Sequence, residues 1–296
     1  MRIPKFEYFA PKSLNQALKL LAEKGEGTRV MAGGTDLVIK MKNGLLKPQA
    51  IIFLKEIEGL DRISYKAGKG LSVGATALLA DVAGHKTIQK RFPALAASAE
   101  ETANVQIRNM GTVAGNLCNA APSADNAPSL IAMNAEVILA SAKGERRLPL
   151  DDFFRGPGQN ALEPGEIMTA IWVPLTPPNF GTSYQHVSAR GKVDISAVCV
   201  GAMAGFDGTV CTEVRICLGA VAPIPLRARE TEKLLKGQTW SAGLIKAAGD
   251  KAAEEAKPIS DMRASAEYRK EMVAVLTRRA LEEAQRRTGA KPGKEE

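Results

Sequence analysis

The 296-residue chain is poor in metal-binding side chains: its four cysteines, at 118, 199, 211 and 217, contain no Cys-x-x-Cys pair, and His85 and His186 are its two histidines. Zinc ribbons, iron–sulfur ligand sets and disulfide frameworks all need such residues in close array, so the count argues against all three. Aromatic residues make up only 5%. Single-strand nucleic-acid binders stack bases on aromatic platforms, and duplex readers show a basic helix or ribbon. Neither is seen, so the net charge of +8 is read as a modest field for a compact anionic ligand and not as a nucleic-acid surface. No apolar run approaches the roughly 18 residues that cross a bilayer, so no membrane span is expected. The opening Met1-Arg-Ile-Pro-Lys-Phe-Glu-Tyr8 carries an acid and no long apolar stretch, so no secretory signal is read and a reducing cytoplasm is the expected compartment. No Gly-x-Gly-x-x-Gly follows a strand, no Gly-x4-Gly-Lys-[Ser/Thr] occurs, and there is no Gly-x-Ser-x-Gly elbow. Rossmann, P-loop and serine-hydrolase sites are therefore unsupported.

What is present is the balance of a globular protein, with 45% apolar and 24% charged residues. The length suits two domains. Helical spacing of Leu14, Ala17, Leu18 and Leu21 predicts a helix over 13–24, with Ser13 as cap. Strands are expected at 28–32 and 50–54 with a helix over 36–42 between them, a small α/β unit with parallel strands over about 1–58. A mixed α+β unit follows over 59–176, with strands at 71–75, 136–141 and 167–173 and helices near 78–84, 93–103 and 126–134. Pro174-Leu-Thr-Pro-Pro-Asn179 reads as the linker, because prolines at this density break both helix and central strand. Beyond it, over 177–288, three antiparallel strands (181–189, 195–206, 210–222) precede three helices near 227–236, 242–255 and 265–288. The polar end, 289–296, is expected to fray.

Two glycine-bearing segments carry the chemistry. Met31-Ala-Gly-Gly-Thr-Asp-Leu37 lies between a strand and a helix. Paired glycines let the main chain approach a ligand, and the helix start adds its positive dipole end, an arrangement suited to phosphate. Thr35 can donate a hydroxyl; Asp36 is expected to cap its own helix. A plain strand-to-helix turn is the alternative. The second segment, Ile107-Arg-Asn-Met-Gly-Thr-Val-Ala-Gly-Asn-Leu-Cys-Asn-Ala-Ala-Pro-Ser-Ala-Asp125, gathers Gly111, Thr112, Gly115, Asn116, Ser123 and Asp125. It reads either as a second wall for phosphate and sugar or as an ordered surface loop, with Ser123 able to cap the next helix and Asp125 able to accept from sugar hydroxyls. Cys118 is read as an inert buried thiol in preference to a reactive one. His186 is either a contact to an anionic ligand or a strand histidine with a local partner. Arg190 and Asp194, four apart, read as a surface ion pair.

Taken together, Ala32-Gly-Gly-Thr-Asp-Leu37, Arg108-Asn-Met-Gly-Thr-Val-Ala-Gly-Asn116 and Pro122-Ser-Ala-Asp125 resemble the FAD-binding medium subunit of the molybdenum hydroxylases, the family of xanthine dehydrogenase and aerobic carbon monoxide dehydrogenase. The likeness runs along nearly the whole chain, through Pro4-Lys-Phe-Glu-Tyr8, Leu150-Asp-Asp-Phe-Phe-Arg-Gly-Pro-Gly158, Pro164-Gly-Glu-Ile167, Ser265-Ala-Glu-Tyr-Arg269 and Arg278-Arg-Ala-Leu281. The resemblance implies an α+β fold: a two-subdomain FAD-binding domain, then a three-stranded antiparallel sheet with a helix bundle. It implies that the 32–36 and 111–115 loops hold the FAD pyrophosphate, with Met31 and Leu37 at the ends of the first and Ala114 where relatives carry glycine in the second. Asp125 would bind the sugar-chain hydroxyls, and Ile167 and Met168 would line the flavin or adenine pocket. Thr102 stands where some relatives place an aromatic ring, and His186 where several carry lysine. No inserted cysteine-bearing loop of the hydroxybenzoyl-thioester branch is present.

The implied activity is electron transfer. Substrate would be oxidised at a molybdopterin centre in a separate large subunit. Electrons would pass through [2Fe–2S] clusters of a small subunit to FAD here, and on to an external acceptor such as NAD+, a quinone, ferredoxin or oxygen. The implied assembly is a dimer of heterotrimers, with no catalytic acid or base and no metal in this chain. A self-sufficient flavin oxidoreductase and a non-enzymatic nucleotide-binding assembly module are the rival classes. The first predicts substrate turnover by the isolated chain, the second a preparation without flavin.

Overall fold

Leu14, Ala17, Leu18 and Leu21 form the inward stripe of α1 (Leu14–Lys24), whose cap Ser13 accepts from the Gln16 N–H. Such a cap contributes about 1 kcal/mol. In this computed structural model, which describes residues 3–191 and 193–289, α1 connects β1 (Glu7–Phe9) to β2 (Thr28–Met31), and α2 (Leu37–Lys42) connects β2 to β3 (Ala50–Phe53). The three strands lie in the order β1-β3-β2, all parallel. Helical crossovers are what parallel neighbours require.

A second, antiparallel sheet has the order β4-β5-β10-β6-β7. It comprises β4 (Ile63–Lys66), β5 (Gly70–Gly74), β6 (Glu136–Ser141), β7 (Gly144–Pro149) and the central β10 (Ile167–Pro174). Six helices run between β5 and β6: α3 (Leu79–Gly84), α4 (Lys86–Arg91), α5 (Pro93–Glu101), α6 (Val105–Arg108), α7 (Val113–Asn119) and α8 (Asn126–Ala132). A small hairpin, β8 (Phe154–Gly156) with β9 (Gln159–Asn160), precedes β10. One apolar core, with Ile52, Leu71, Leu95, Leu130, Val137 and Ile171 all fully or almost fully buried, serves both sheets.

The C-terminal sheet orders β11 (Phe180–Ser188), β12 (Ser196–Asp207), β13 (Val210–Gly219) and β14 (Leu226–Arg227), all antiparallel. It therefore has four strands, and the expectation of three is corrected. The two residues of β14 pair with Cys217 and Leu218, and a strand that short carries no readable alternation. On one face Val198, Val200, Leu218 and Trp240 pack with Leu276 and Leu281, beneath α9 (Arg229–Leu235), α10 (Ala242–Glu255) and α11 (Ala266–Thr288). On the other face Tyr184 and Cys199 meet Ala94 of α5, whose N–H donates to Thr182 Oγ1 at 3.4 Å. The Ala220 N–H donates to Pro122 O at 2.8 Å on the same side.

Four further expectations are corrected. The 107–125 segment is not one loop: α6 ends in it and α7 lies within it, a helix that Thr112 starts by accepting from the Gly115 N–H at 2.9 Å. Glycine and asparagine depress helix propensity, which hides α7 from a local reading. Asp36 makes no capping bond, because its backbone is already helical (φ −91°, ψ −43°), whereas a capping side chain needs an extended backbone to reach back. Ser123 does not cap α8 either, since Asp125 holds that position. The strands β1, β4 and β7 were not expected: none of their residues is buried, so none shows the apolar alternation of a core strand. The end expected to fray lies outside the described residues, apart from Gly289, which closes α11.

Candidate functional site

Two turns meet main chain to main chain. The first leaves β2 at Met31, and Gly34 sits in the left-handed region (φ +72°), where a side chain is strained. Gly34 O and Asp36 O accept from the N–H groups of Val38 and Lys40, each at 2.9 Å, which begins α2. Among the described residues, the N–H groups of Gly33, Gly34, Thr35 and Asp36 have no backbone acceptor. The second turn follows α6. Gly111 donates to Ile107 O at 2.6 Å and accepts from Leu79 N–H at 3.0 Å, and Lys55 Nζ donates to Met110 O at 2.8 Å. A Cβ on Gly33 would stand 2.3 Å from Met110 O and 2.7 Å from Gly111 Cα, so only glycine lets the turns touch.

Both turns open on one cleft of about 1200 Å3. That exceeds the usual range of roughly 300–1,000 Å3 for small-molecule sites, and it suits an extended ligand. Met31, Ala32, Gly33, Gly34, Thr35, Asp36 and Leu37 line it, as do Thr102, Gly111, Thr112, Gly115, Asn116, Ser123 and Asp125. Ala114, Ile167, Met168 and His186 do not. Ala114 is buried in the second residue of α7, with no positive φ. Ile167 and Met168 are buried at the start of β10. His186 lies one residue back from the wall, behind Ser196 and Asp125.

Asp125 is the side chain that ties the cleft to the C-terminal sheet. Its Oδ1 accepts from Tyr184 Oη at 2.8 Å and from Ser196 Oγ at 2.6 Å. Burial pushes its pKa up, while those two donors and the nearby His186 pull it down. Burial likewise holds the Tyr184 phenol well above its ordinary value. Tyr184 and His186 are stacked, with centroids 5.9 Å apart and planes at 14°. Thr102 is tied inward: its Oγ1 donates to Ser98 O at 2.7 Å and accepts from Asn126 Nδ2 at 3.1 Å. Asn126 is fully buried and also donates to Asn116 Oδ1 at 3.1 Å, so it fixes two lining residues at once. Asn126 was not singled out in the sequence, and nothing local marks it.

Arg29, Lys40 and Arg263 were not among the residues expected at the site, and Arg190 was expected only as half of a surface ion pair. Arg29, Lys40, Arg190 and Arg263 line the cleft against the carboxylates of Asp36, Asp125 and Asp194. Lys40 donates to Asn119 Oδ1 at 2.6 Å. Its place four residues after Asp36, on the same helix face, is the signal that could have found it. Arg190 and Asp194 form the expected ion pair at 3.0 Å, with the arginine side chain 80% exposed. That guanidinium, together with two backbone N–H donors, holds the Asp194 carboxyl down to about 2. Cys118 is partly exposed, and burial of its thiol pushes the pKa up to about 12, so it is not a thiolate at neutral pH. Among the described residues no group of three His, Cys, Asp or Glu side chains could hold a metal ion, and no helix is long and apolar enough to cross a membrane.

Main-chain donors and cations beside a carboxylate acceptor match a ligand that is a diphosphate at one point and rich in hydroxyls at another. Fold and cleft thus define a binding subunit for an extended dinucleotide-type cofactor. Comparison with known proteins sharpens the class. Residues 4–176 match the FAD binding domain in molybdopterin dehydrogenase, and residues 183–284 match the CO dehydrogenase flavoprotein C-terminal domain. The glyceraldehyde dehydrogenase medium chain of Sulfolobus acidocaldarius is 33% identical over 95% of this chain and 98% of its own. The xanthine dehydrogenase FAD-binding subunit of Escherichia coli O157:H7 is 29% identical over 96% and 97%. Carbon monoxide dehydrogenase from Hydrogenophaga pseudoflava contains a chain that superposes with a TM-score of 0.93 at 32% identity, covering 97% of this chain and 99% of that one. The chain belongs to the FAD-binding medium subunits of the molybdenum hydroxylases, and it is a flavoprotein subunit of a multi-subunit molybdenum oxidoreductase.

Proposed function

We propose that the cleft between the two turns and Asp125 is where this chain holds FAD. The N–H groups of 33–36 take the diphosphate against the 111–115 turn, and Asp125 accepts from sugar-chain hydroxyls. The observation that carries this reading is the contact of Gly33 with Met110 and Gly111, which brings unpaired N–H groups and the second turn to one cleft wall. When bound, FAD supplies a group that takes up electrons singly or in pairs, which suits it to link [2Fe–2S] clusters of a small partner subunit to an external acceptor. The partners in this reading are that subunit and a large molybdopterin-binding subunit, in a dimer of heterotrimers in the cytoplasm. The same reading divides the chain at the proline segment into an FAD-binding domain, 1–176 with subdomains meeting near residue 58, and a sheet-and-helix domain, 177–288. The separate cores on either side support that division.

The chain's own residues bind, orient and shield; none is asked to act as acid or base on the organic substrate. Purification of the chain alone should give a yellow protein that passes electrons from an added chemical reductant to artificial acceptors but does not oxidise organic substrates by itself. Co-expression with its genomic neighbours should bring down subunits bearing molybdenum and iron–sulfur. Turnover by the isolated chain would favour a self-sufficient oxidoreductase, and a colourless chain that ignores added FAD would favour an assembly module.

A further inference from the structure

Behind Asp125 a line of side chains leads out of the cleft. Ser196 Oγ donates to Asp125 Oδ1 at 2.6 Å and lies 3.4 Å from His186 Nδ1. His186 Nε2 in turn lies 3.2 Å from Glu101 Oε2 at the end of α5. A 2.6 Å hydroxyl–carboxylate bond is short and strong, so the Ser196 proton is committed to Asp125. Both ring nitrogens of His186 then face acceptors: a carboxylate at Nε2 and the Ser196 oxygen lone pairs at Nδ1. A neutral imidazole carries one N–H and can satisfy only one of them, and only the imidazolium satisfies both. Resting on the FAD reading above, we propose that His186 is a positioning residue. Its protonated ring locks the Ser196 hydroxyl onto Asp125, and loss of that proton frees the hydroxyl to turn back toward Nδ1, which weakens the cleft's grip on FAD as pH rises.

Elements packed on β11 contribute to the surroundings of His186. Glu101 comes from α5, Asp125 from the cap of α8, Ser196 and Cys199 from β12, and Tyr184 from β11 itself. The helix α11 covers the opposite face, where Arg287 donates to Thr182 O at 2.6 Å, four residues away along the strand. The nearest full charges are thus two carboxylates. Burial raises the Asp125 pKa, and the charged ring opposes that rise. Asp125 Oδ1 carries both side-chain bonds, the residue's own N–H also acts on the carboxylate, and among the described residues no side-chain donor is assigned to Oδ2, which leaves that oxygen for a ligand hydroxyl.

The test is FAD binding to the full chain stripped of flavin, followed by flavin-fluorescence quenching from about pH 5.5 to about pH 8, the span across which an imidazole ordinarily titrates. Wild type should weaken about fivefold from the acid to the alkaline end, the worth of one hydrogen bond. His186→Gln and Ser196→Ala should each give a flat profile near the weaker limit. His186→Lys should stay near the tighter limit throughout. Wild type and His186→Gln binding FAD with the same pH profile would overturn the relay while leaving the cofactor reading intact. No FAD binding by wild type or any variant at any pH would overturn both.

Discussion

The cleft is walled by main chain on one part and by side chains on another, and the two are held in different ways. The main-chain part is the contact of residues 33–36 with 110–111, where a single Cβ on Gly33 would stand 2.3 Å from a carbonyl oxygen. Its donors are peptide N–H groups, which have no rotamers to freeze and no protons to lose. The side-chain part is Asp125 with Tyr184, Ser196, His186 and Glu101, gathered from α5, the start of α8, β11 and β12. It keeps a carboxylate partly out of water, and the raised pKa of Asp125 is the sign of that cost. A diphosphate is charged at every physiological pH, so fixed and untitratable donors suit it. Hydroxyls are neutral, and an acceptor whose strength depends on its neighbours can be adjusted to hold them.

Three substitutions set the two parts against each other. The largest effect is expected from Gly33→Val, because backbone cannot move aside as a side-chain tip can. The turns must separate, and FAD affinity should fall by about a hundredfold or more, on the order of 3 kcal/mol. Titration of the stripped protein with FAD measures it, and an affinity near wild type would mean that the turns need not touch to bind. Asp125→Asn should cost less, about tenfold in affinity, since one charge-assisted bond to the ligand becomes a neutral one. Its effect on stability should have the opposite sign. A carboxyl whose folded pKa is raised stabilises the fold in acid, below its unfolded value, and that contribution is lost as pH climbs through the folded pKa. At neutral pH the uncharged amide removes this penalty and still accepts from Tyr184 and Ser196. The stripped variant should therefore melt at or above the wild-type temperature by calorimetry, and a clearly lower midpoint would show that the carboxylate charge holds the wall together. Arg190→Ala should do least, because its ion pair with Asp194 is solvent-exposed on the arginine side. A change in FAD affinity within about twofold is expected, and a larger loss would promote this arginine into the working wall.

The difference between the parts also explains how much of the site could be read from the chain. Gly33, Gly34 and Thr35 are visible because a glycine pair between a strand and a helix is a local pattern with a local reason. Thr112, Gly115 and Asn116 were legible as a segment, but not as a capped helix, because small and amide residues weaken the helical signal. Asp36 and Ser123 do not make the capping bonds expected of them: Asp36 holds the cap position with a backbone that is already helical, and Asp125 stands where Ser123 would cap. Among the larger elements, β12 is buried along eleven of its twelve residues, so it lacks the alternation of a half-exposed strand and shows only as an apolar run. The two-residue β14 was beyond any periodicity argument.

The amino-acid order alone determined the alternation of strand and helix at the start, the proline break near the middle and the glycine turns, because each is decided by residues within a few positions of one another. Only the tertiary structure decided that Gly33 rests on Met110, that Asn126 ties Thr102 to Asn116, and that Asp125 reaches Glu101 through Ser196 and His186. Those links join segments far apart in the chain, and no local propensity encodes a hydrogen bond whose two ends meet only after the sheets and helices have packed.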